Sequence, residues 1–291
     1  MKQNINNIFT IAQKEFADNV WSPRFAVLMF IFLCISFSYT YKIKFGSSFI
    51  DAVQTIAIFA PVIGIALGFD AVVKERRRNS LNVLLTHPVF RDTIITGKIL
   101  GAMMTLALVV FLVIAVITGT SLITSGKLAN FSELNRLFIF GILTFLYLLV
   151  FLSIGIFTSV ITKSEINSLT CGIIAWLNLC VVFGATVMII ATVVTGYSLF
   201  DMDEDHQFRE LTYDLQKLSP IHHYAEASIG VSDLSMGSVI NQETIKGVLD
   251  TRYTLGEWAG EFWENVVVLA VISIVLIILS YLIFLRQDIT I

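Results

Sequence analysis

The chain is poor in charge, proline and cysteine. Only 14% of its 291 residues are charged, whereas ordinary soluble domains carry roughly a quarter. Its three cysteines, Cys34, Cys171 and Cys180, all fall in apolar stretches, which predicts small core residues and no disulfide framework. Since 56% of the residues are hydrophobic, the shortage of charge excludes an ordinary soluble domain and predicts an integral membrane protein.

The sequence also lacks the groupings that catalysis needs. The nearest approach to a phosphate-binding loop, Ser125-Gly126-Lys127-Leu128, has neither the first glycine nor the hydroxyl residue that would hold magnesium. The histidines form no Ser/His/Asp or Cys/His grouping, and Asp70 is the one charged residue inside the apolar stretches. Ion-coupled transporters place several ionisable groups there. We therefore expect no enzyme activity, no cofactor in this chain and no ion coupling.

Six apolar windows are long enough, or nearly so, to cross a bilayer as helices, which takes about twenty residues. The sequence therefore predicts an all-α integral membrane protein with six transmembrane helices. The windows are Phe25–Tyr41, Ala52–Val73, Ile99–Ile123, Leu137–Ile161, Ile173–Val194 and Val266–Leu285.

Six spans place both termini on one side of the membrane. That side would hold eleven of the nineteen Lys and Arg residues, and the loop 74–98 dominates this count. Because short cytoplasmic loops are enriched in Lys and Arg, the pattern predicts a multi-pass protein of the cell membrane with both termini in the cytoplasm.

Four segments follow from this topology. Residues 1–24 form a cytoplasmic interfacial helix, since Ile5, Ile8, Phe9, Ala12 and Phe16 recur at helical spacing. Residues 25–194 hold spans one to five with the loop 74–98. Residues 195–265 form an extracytoplasmic segment, with turn signals at Ser219-Pro220 and Gly230 and an aromatic-rich interfacial helix at Leu255–Asn265. Residues 266–291 hold span six and a cytoplasmic C-terminus.

Small residues recur in steps of four. Gly64 and Gly68 follow Ala60 in the second span, and Gly97 and Gly101 open the third. Small residues at this spacing let helix backbones approach closely in lipid, so we expect helix packing at these four glycines. Pro61 predicts a kink in the second span.

A basic, leucine-striped segment lies between the second and third spans. Arg76, Arg77 and Arg78 precede Leu81, Leu84 and Leu85, and Pro88 ends the segment. It could anchor the loop on anionic lipid. It could also form a short amphipathic coupling helix that docks by its apolar face on a soluble protein. The residues leave both interpretations open.

The same residues carry a family resemblance. The run Glu75…Ser80-Leu81…Leu84-Leu85-Thr86-His87-Pro88-Val89-Phe90-Arg91…Gly97-Lys98-Ile99-Leu100-Gly101 resembles the signature of ABC type-2 transporter permeases. The opening Ile11-Ala12-Gln13-Lys14-Glu15-Phe16 and the turn Leu218-Ser219-Pro220 are similar to the NosY-like branch of that family. Asn79 departs from the pattern, in which glycine is common.

The resemblance implies a permease subunit of an ATP-driven exporter. Cytoplasmic ABC ATPase subunits would bind ATP and Mg, and a second copy or a similar permease would complete the pathway in the lipid bilayer. An extracytoplasmic accessory protein is compatible with this arrangement, and no nucleic acid is expected. Contact with the ATPase would fall on Glu75, Arg76, Arg77, Arg78, Leu81, Leu84, Leu85 and Pro88. The alternative is a membrane scaffold that recruits soluble proteins without transport.

The resemblance to NosY-like permeases implies a link to the maturation of copper enzymes. Metal ligands are therefore to be looked for in the predicted outer segment. Neighbouring histidines on a helix point in different directions, and no thioether cluster flanks them. We therefore expect no metal site, although soft ligands are the type such a site would use. The candidate ligands are His206, His222, His223, Met202 and Met236.

Overall fold

The computed structural model describes residues 2–41, 49–74, 91–125, 130–196, 206–235, 246–250 and 252–286. Within these ranges the chain consists of helices, turns and loops, which confirms the all-α fold class for this part of the protein. The helices are α1 Lys2–Val20, α2 Pro23–Tyr41, α3 Phe49–Phe59, α4 Pro61–Gly68, α5 Arg91–Ser125, α6 Phe131–Ile161, α7 Glu165–Trp176, α8 Phe183–Thr195, α9 His206–Gln216, α10 Pro220–Ile229 and α11 Leu255–Arg286.

Helix α6 lies at the centre of the bundle. It packs against α4, α5, α7, α10 and α11, and Tyr147, Phe151 and Leu152 are completely buried. The long helix α11 and the α7–α8 pair are mostly exposed, as expected for apolar helices that face lipid. The core is therefore built around the predicted fourth span.

The six-span count is not confirmed. Among the described residues, four helices are long and apolar enough to cross a membrane: Asp92–Thr120, Phe131–Ile161, Glu165–Thr195 and Leu255–Arg286. A fifth span exists only if Ile5–Val20 and Pro23–Cys34, which meet at 63°, count as one broken span. Val53–Gly68 is apolar but shorter, and the helix of the predicted second span is interrupted near the middle of this stretch.

Pro61 explains this interruption. It has no N–H, so the carbonyl of Ala57 lacks its helical partner, and the helix breaks at Ala60 between α3 and α4. Two neighbouring helices supply replacement donors. The Tyr147 hydroxyl donates to the Ala57 carbonyl over 2.7 Å, and the Trp176 indole N–H donates to the Ile58 carbonyl over 2.7 Å. The break is thus held by side chains from α6 and α7.

We expect Tyr147→Phe to lower the melting temperature of the detergent-solubilised protein by about 5 °C, because the Ala57 carbonyl is left buried and unpaired. The ring itself is kept, including its 4.5 Å stack on Tyr224. Tyr281→Phe, at a half-buried position on α11, is the matched control and should leave the melting temperature unchanged. Equal melting temperatures for both variants would contradict this role of Tyr147.

The segment between α7 and α8, Leu177–Val182, is a π-helix. It carries Cys180, whose thiol lies 3.5 Å from the Tyr147 hydroxyl and is buried. The prediction that all three cysteines are core residues is wrong for Cys34 and Cys171, which are exposed on their helices. An apolar stretch in a membrane helix has a lipid-facing side as well as a core side, and composition alone does not separate the two.

The residues after α8 fold back onto the bundle. Helix α10 begins at Pro220 and ends at Gly230, which has a φ of 71°. It packs against α3, α6 and α11, and its residues Pro220–Ala225 and Ala227–Ile229 are buried. The expected separate interfacial helix at Leu255–Asn265 is instead the first part of α11, which runs unbroken into the last predicted span.

Candidate functional site

The candidate site lies at the basic end of the bundle, which we define by Lys74, Lys98 and Lys163 and which the charge pattern predicts to be cytoplasmic. Helix α1 lies along the first turns of α5 there. A Cβ atom added at Gly97 would lie 2.6 Å from a methyl group of Ile11, and one added at Gly101 would lie 2.8 Å from the Ala12 carbonyl oxygen. Helix α1 therefore packs directly on the backbone of α5 at these two glycines, where no side chain of α5 would fit.

A charge pair crosses the same contact. Lys98 Nζ of α5 lies 2.6 Å from Glu15 Oε1 of α1, and the lysine side chain is only 9% exposed. A charge-assisted hydrogen bond this short and this poorly solvated fixes the relative position of two helices more strongly than a surface pair does. Because a buried charge left without its partner is costly, α1 and α5 are expected to move together.

A second cluster of charges surrounds Asp70, just after α4. Its carboxylate lies 3.7 Å from Arg24 Nη1 of α2 and 3.8 Å from Lys74 Nζ. These distances are too long for strong hydrogen bonds, so the interaction is a Coulombic attraction that tolerates small movements. Asp70, the one charged residue inside the predicted spans, is thus paired with basic residues of α2 and of its own turn.

Hydroxyl groups hold the turn that carries Asp70. Ser159 Oγ of α6 accepts hydrogen bonds from the N–H groups of Val72, at 2.9 Å, and Val73, at 3.1 Å. Ser168 Oγ of α7 donates to the Phe69 carbonyl over 2.7 Å. The turn that precedes residue 75 is thus anchored on two other helices.

A cavity of about 700 Å³ lies between α1, α2, α4 and α7. Apolar side chains such as Leu28, Ile63 and Trp176 line it one to three turns into the helices. Charged side chains of both signs line it at the basic end: Lys14, Glu15, Asp18, Arg24, Asp70, Lys74, Lys98 and Glu165. Any movement of α1 or of the Asp70 turn changes the shape of this cavity.

Comparison with known proteins identifies the family. Residues 45–289 match the family described as ABC-2 family transporter protein. The chain belongs to the ABC-2 transporter family. It is also similar to two proteins named "Probable ABC transporter permease protein NosY". One, from Stutzerimonas stutzeri, is 33% identical over 118 residues, 37% of this chain and 43% of that protein. The other, from Pseudomonas aeruginosa, is 30% identical over 111 residues, 35% of this chain and 40% of that protein.

The aligned part thus spans about two fifths of the length of these curated relatives. Membership of the ABC-2 family together with several long apolar helices makes this chain a multi-pass membrane protein and an ABC-2 permease subunit. The predicted family is confirmed by this match.

The segment predicted to contact an ATPase lies outside the described residues. This holds for Glu75, Arg76, Arg77, Arg78, Leu81, Leu84, Leu85 and Pro88. Both flanks of the segment are described in this ABC-2 permease: the Asp70 turn leads to Lys74, and α5 begins at Arg91, two turns before Gly97. The predicted coupling segment therefore connects the anchored turn directly to the α1–α5 contact.

The remaining predicted packing glycines lie deeper in the bundle. A Cβ atom at Gly64 would lie 2.8 Å from the Leu148 carbonyl oxygen of α6, and one at Gly68 would lie 2.7 Å from that of Leu152. Gly155 of α6 faces Gly68 from the other side. In this permease the four-residue steps therefore mark two different contacts, α4 with α6 and α5 with α1.

The candidate metal ligands do not assemble a metal site in the described part of the chain, where no three His, Cys, Asp or Glu residues are grouped for a metal ion. His206 is exposed. The ring nitrogens of His223 and Nδ1 of His222 face protein hydrogen-bond partners. Met202 and Met236 lie outside the described residues.

Sequence reasoning missed one interaction of this site and one buried residue outside it. The Glu15–Lys98 pair joins residues 83 apart, and only the opposite charges near two predicted packing faces hinted at it. Arg136 precedes the fourth apolar window, where an arginine has the sequence position of an ordinary flanking charge. In the structure it is buried, and its guanidinium donates to the carbonyls of Val248, Asp250 and Tyr253.

Proposed function

We propose that this chain is the membrane-spanning permease subunit of an ATP-driven exporter, coupled to cytoplasmic ABC ATPase subunits through residues 75–90. In this topology α2 is the first span, α3 and α4 together form the second, and α5, α6, the α7–α8 pair and α11 complete six. Both termini then lie in the cytoplasm, and a second copy or a similar permease completes the pathway.

The observation that carries this proposal is the direct contact of α1 with α5 at Gly97 and Gly101, reinforced by Lys98 and Glu15. A segment that ends at Arg91 pulls on α5 two turns before this contact. Because α1 packs directly on the α5 backbone at these glycines, displacement of α5 is passed to α1 and to the cavity between α1, α2, α4 and α7. The export direction rests on the resemblance to type-2 permeases.

In this proposal, ATPase movement displaces α5 relative to the Asp70 turn. The Asp70 turn is held by Ser159 and Ser168, whereas α5 is held by α1. Closure of two ATPase subunits on the segment between these anchors would move α1 and α5 against α4 and α7. The long Coulombic pairs of Asp70 would adjust to such a movement, and the cavity would change volume.

The test is retention of the ATPase during purification. Arg76, Arg77 and Arg78 are changed to Glu together with Leu84→Asp, which reverses the charge of the segment and places a carboxylate on its apolar stripe. We expect the ATPase to be lost and nucleotide turnover to become independent of the permease. An ATPase that stays bound and coupled would refute the assignment of this segment.

A control carries the same number of basic-to-acidic substitutions on the predicted opposite side. Arg209, Lys217 and Arg252 are exposed or half-exposed, and exposed charge pairs contribute little to stability. Changing these three residues to Glu should leave ATPase binding intact. This control separates loss of a specific contact from a general effect of net charge on the complex.

A second measurement separates transport from the scaffold alternative. A single cysteine at position 252, in a variant that lacks the native cysteines, is labelled from outside with an impermeant maleimide. A permease that changes shape should show a labelling rate that depends on nucleotide turnover. A scaffold should show the same rate with and without ATP.

A further inference from the structure

Two adjacent histidines are buried where α9, α10 and α11 meet. His222 is 1% exposed and His223 is 7% exposed, although isolated buried polar groups are costly unless they are hydrogen-bonded. Neither residue takes part in the proposed coupling. The hydrogen-bond partners of their ring nitrogens therefore indicate which of these nitrogens carry a hydrogen atom.

Both ring nitrogens of His223 face acceptors. Nε2 lies 2.8 Å from the Lys217 carbonyl oxygen, and Nδ1 lies 2.6 Å from Asn265 Oδ1. The orientation of the Asn265 amide is set on its other side, where Nδ2 donates to Glu226 Oε2 over 3.0 Å. A neutral imidazole has one N–H and can satisfy only one of two acceptors, whereas an imidazolium satisfies both.

His222 differs in that only one of its ring nitrogens has an acceptor within hydrogen-bond distance. Its Nδ1 donates to the Ser232 carbonyl over 2.6 Å, and its Nε2 has no hydrogen-bond partner and lies 3.6 Å from Glu226 Oε2. Burial lowers the pKa of His222, although the Glu226 carboxylate opposes this effect. The two imidazole rings are 5.2 Å apart, so a second positive charge beside the first is unfavourable.

The other charged and titratable groups around the pair are limited in number. Helix α9 contributes Tyr213, whose hydroxyl is hydrogen-bonded to Glu226, and Lys217, whose ammonium is 2.9 Å from Asp214. Helix α10 contributes Glu226 itself. Helix α11 contributes the uncharged Asn265 and also Glu264, whose charge acts on Tyr213, and the loop after α10 contributes the Ser232 carbonyl. Glu226 is the carboxylate that reaches the pair, since it lies 3.6 Å from His222 Nε2 and accepts a hydrogen bond from the Asn265 amide that contacts His223.

We propose that His222 and His223 form a binding site for one proton, which resides on His223 with Glu226 as its counter-charge and locks α10 between α9 and α11. The imidazolium joins three elements: Lys217 follows α9, His223 belongs to α10, and Asn265 belongs to α11. Without this proton, one of the two acceptors, Asn265 Oδ1 or the Lys217 carbonyl oxygen, faces the lone pair of an imidazole nitrogen instead of an N–H group.

The pKa of His222 makes its contribution to stability depend on pH. Since this pKa is lowered in the fold, the stability that His222 contributes is present above the pKa of the unfolded chain and is lost as the pH falls.

Nitrogen-15 spectra of protein labelled only in its four histidines test the proposal directly, because imidazolium and neutral nitrogens have distinct shifts. At about pH 7.5, where free imidazole is mostly neutral, the His223 signals should be those of an imidazolium and the His222 signals those of a neutral ring. The signals are assigned by His→Gln variants. If His223→Gln does not fold, variants of the other three histidines assign it by elimination.

Asn265→Ala removes one acceptor and should convert the His223 signals to those of a neutral ring at the same pH. His206→Gln, at an exposed position outside the cluster, should leave them unchanged. A neutral His223 in the wild-type protein at about pH 7.5 would overturn the proposal. So would an imidazolium signal that survives Asn265→Ala.

Thermal melting gives an independent readout. Between about pH 7 and pH 9, the wild-type melting temperature should fall by roughly 3 °C more than that of His223→Gln, which has no such proton to lose. His206→Gln should retain the wild-type slope. Equal slopes for the wild type and His223→Gln would count against the lock.

Discussion

Arg136→Met should lower the melting temperature by about 10 °C and release the loop 246–250 from the bundle, because three backbone carbonyls lose a charged donor at once. The guanidinium reaches Val248 O at 2.9 Å and Asp250 O at 2.7 Å, and it also donates to Tyr253 O. Methionine replaces much of the aliphatic volume but offers no donor. Thermal melting and limited proteolysis of this loop measure the two effects.

Two variants make this expectation specific. Arg136→Lys keeps the charge but replaces the planar fork of donors by a single ammonium, and it should recover only part of the lost melting temperature. Arg209→Met removes an arginine from an exposed position on α9 and should change the melting temperature little. An Arg136→Met protein that melts within about 2 °C of the wild type would contradict the anchoring role.

We expect Gly68→Val to lower the melting temperature by about 10 °C or to prevent folding. The reason is that α4 and α6 are too close together at this position for any side chain. A Cβ atom would lie 2.7 Å from the Leu152 carbonyl oxygen and 2.8 Å from the Ile156 nitrogen. Both are backbone atoms of α6, so neither can rotate away. The helices must separate, and the hydroxyl bonds that hold the Asp70 turn separate with them.

Gly119→Val is the matched control. Gly119 also lies in a long apolar helix, α5, but a Cβ atom there meets nothing within 4 Å. This variant should melt close to the wild type. If Gly68→Val does not fold, Gly68→Ala with Gly119→Ala repeats the comparison at smaller size, since a methyl group at Gly68 meets the same atoms. Equal melting temperatures in that pair would show that the contact is not tight.

The glycines illustrate what periodicity predicts. The steps of four from Gly64 to Gly68 and from Gly97 to Gly101 predict a packing face on each helix, because i and i+4 lie on the same side. They carry no information about the partner. Helix α6 packs on the first pair and α1 on the second, and this choice depends on which helices the turns bring together.

Pro61 and Arg136 illustrate two other limits of prediction from sequence. The missing N–H of proline predicts an interruption wherever it occurs in a helix, but the donors that make the interruption tolerable come from Tyr147 and Trp176. Arg136 lies next to an apolar window, where a flanking arginine is ordinary. Its burial depends on a loop more than a hundred residues later in the chain.

The sequence by itself determined the all-helical membrane class, the family, the interruption at Pro61 and the limits of α10. The family came from a resemblance of short motifs, and the other three depend on composition or on the covalent properties of nearby residues, which do not change with the surroundings. The tertiary structure alone decided that α1 lies on α5, that α10 is buried among the spans, and that His223 meets two acceptors. These contacts join residues far apart in the chain, and their energies depend on distances and burial that exist only once the helices have packed.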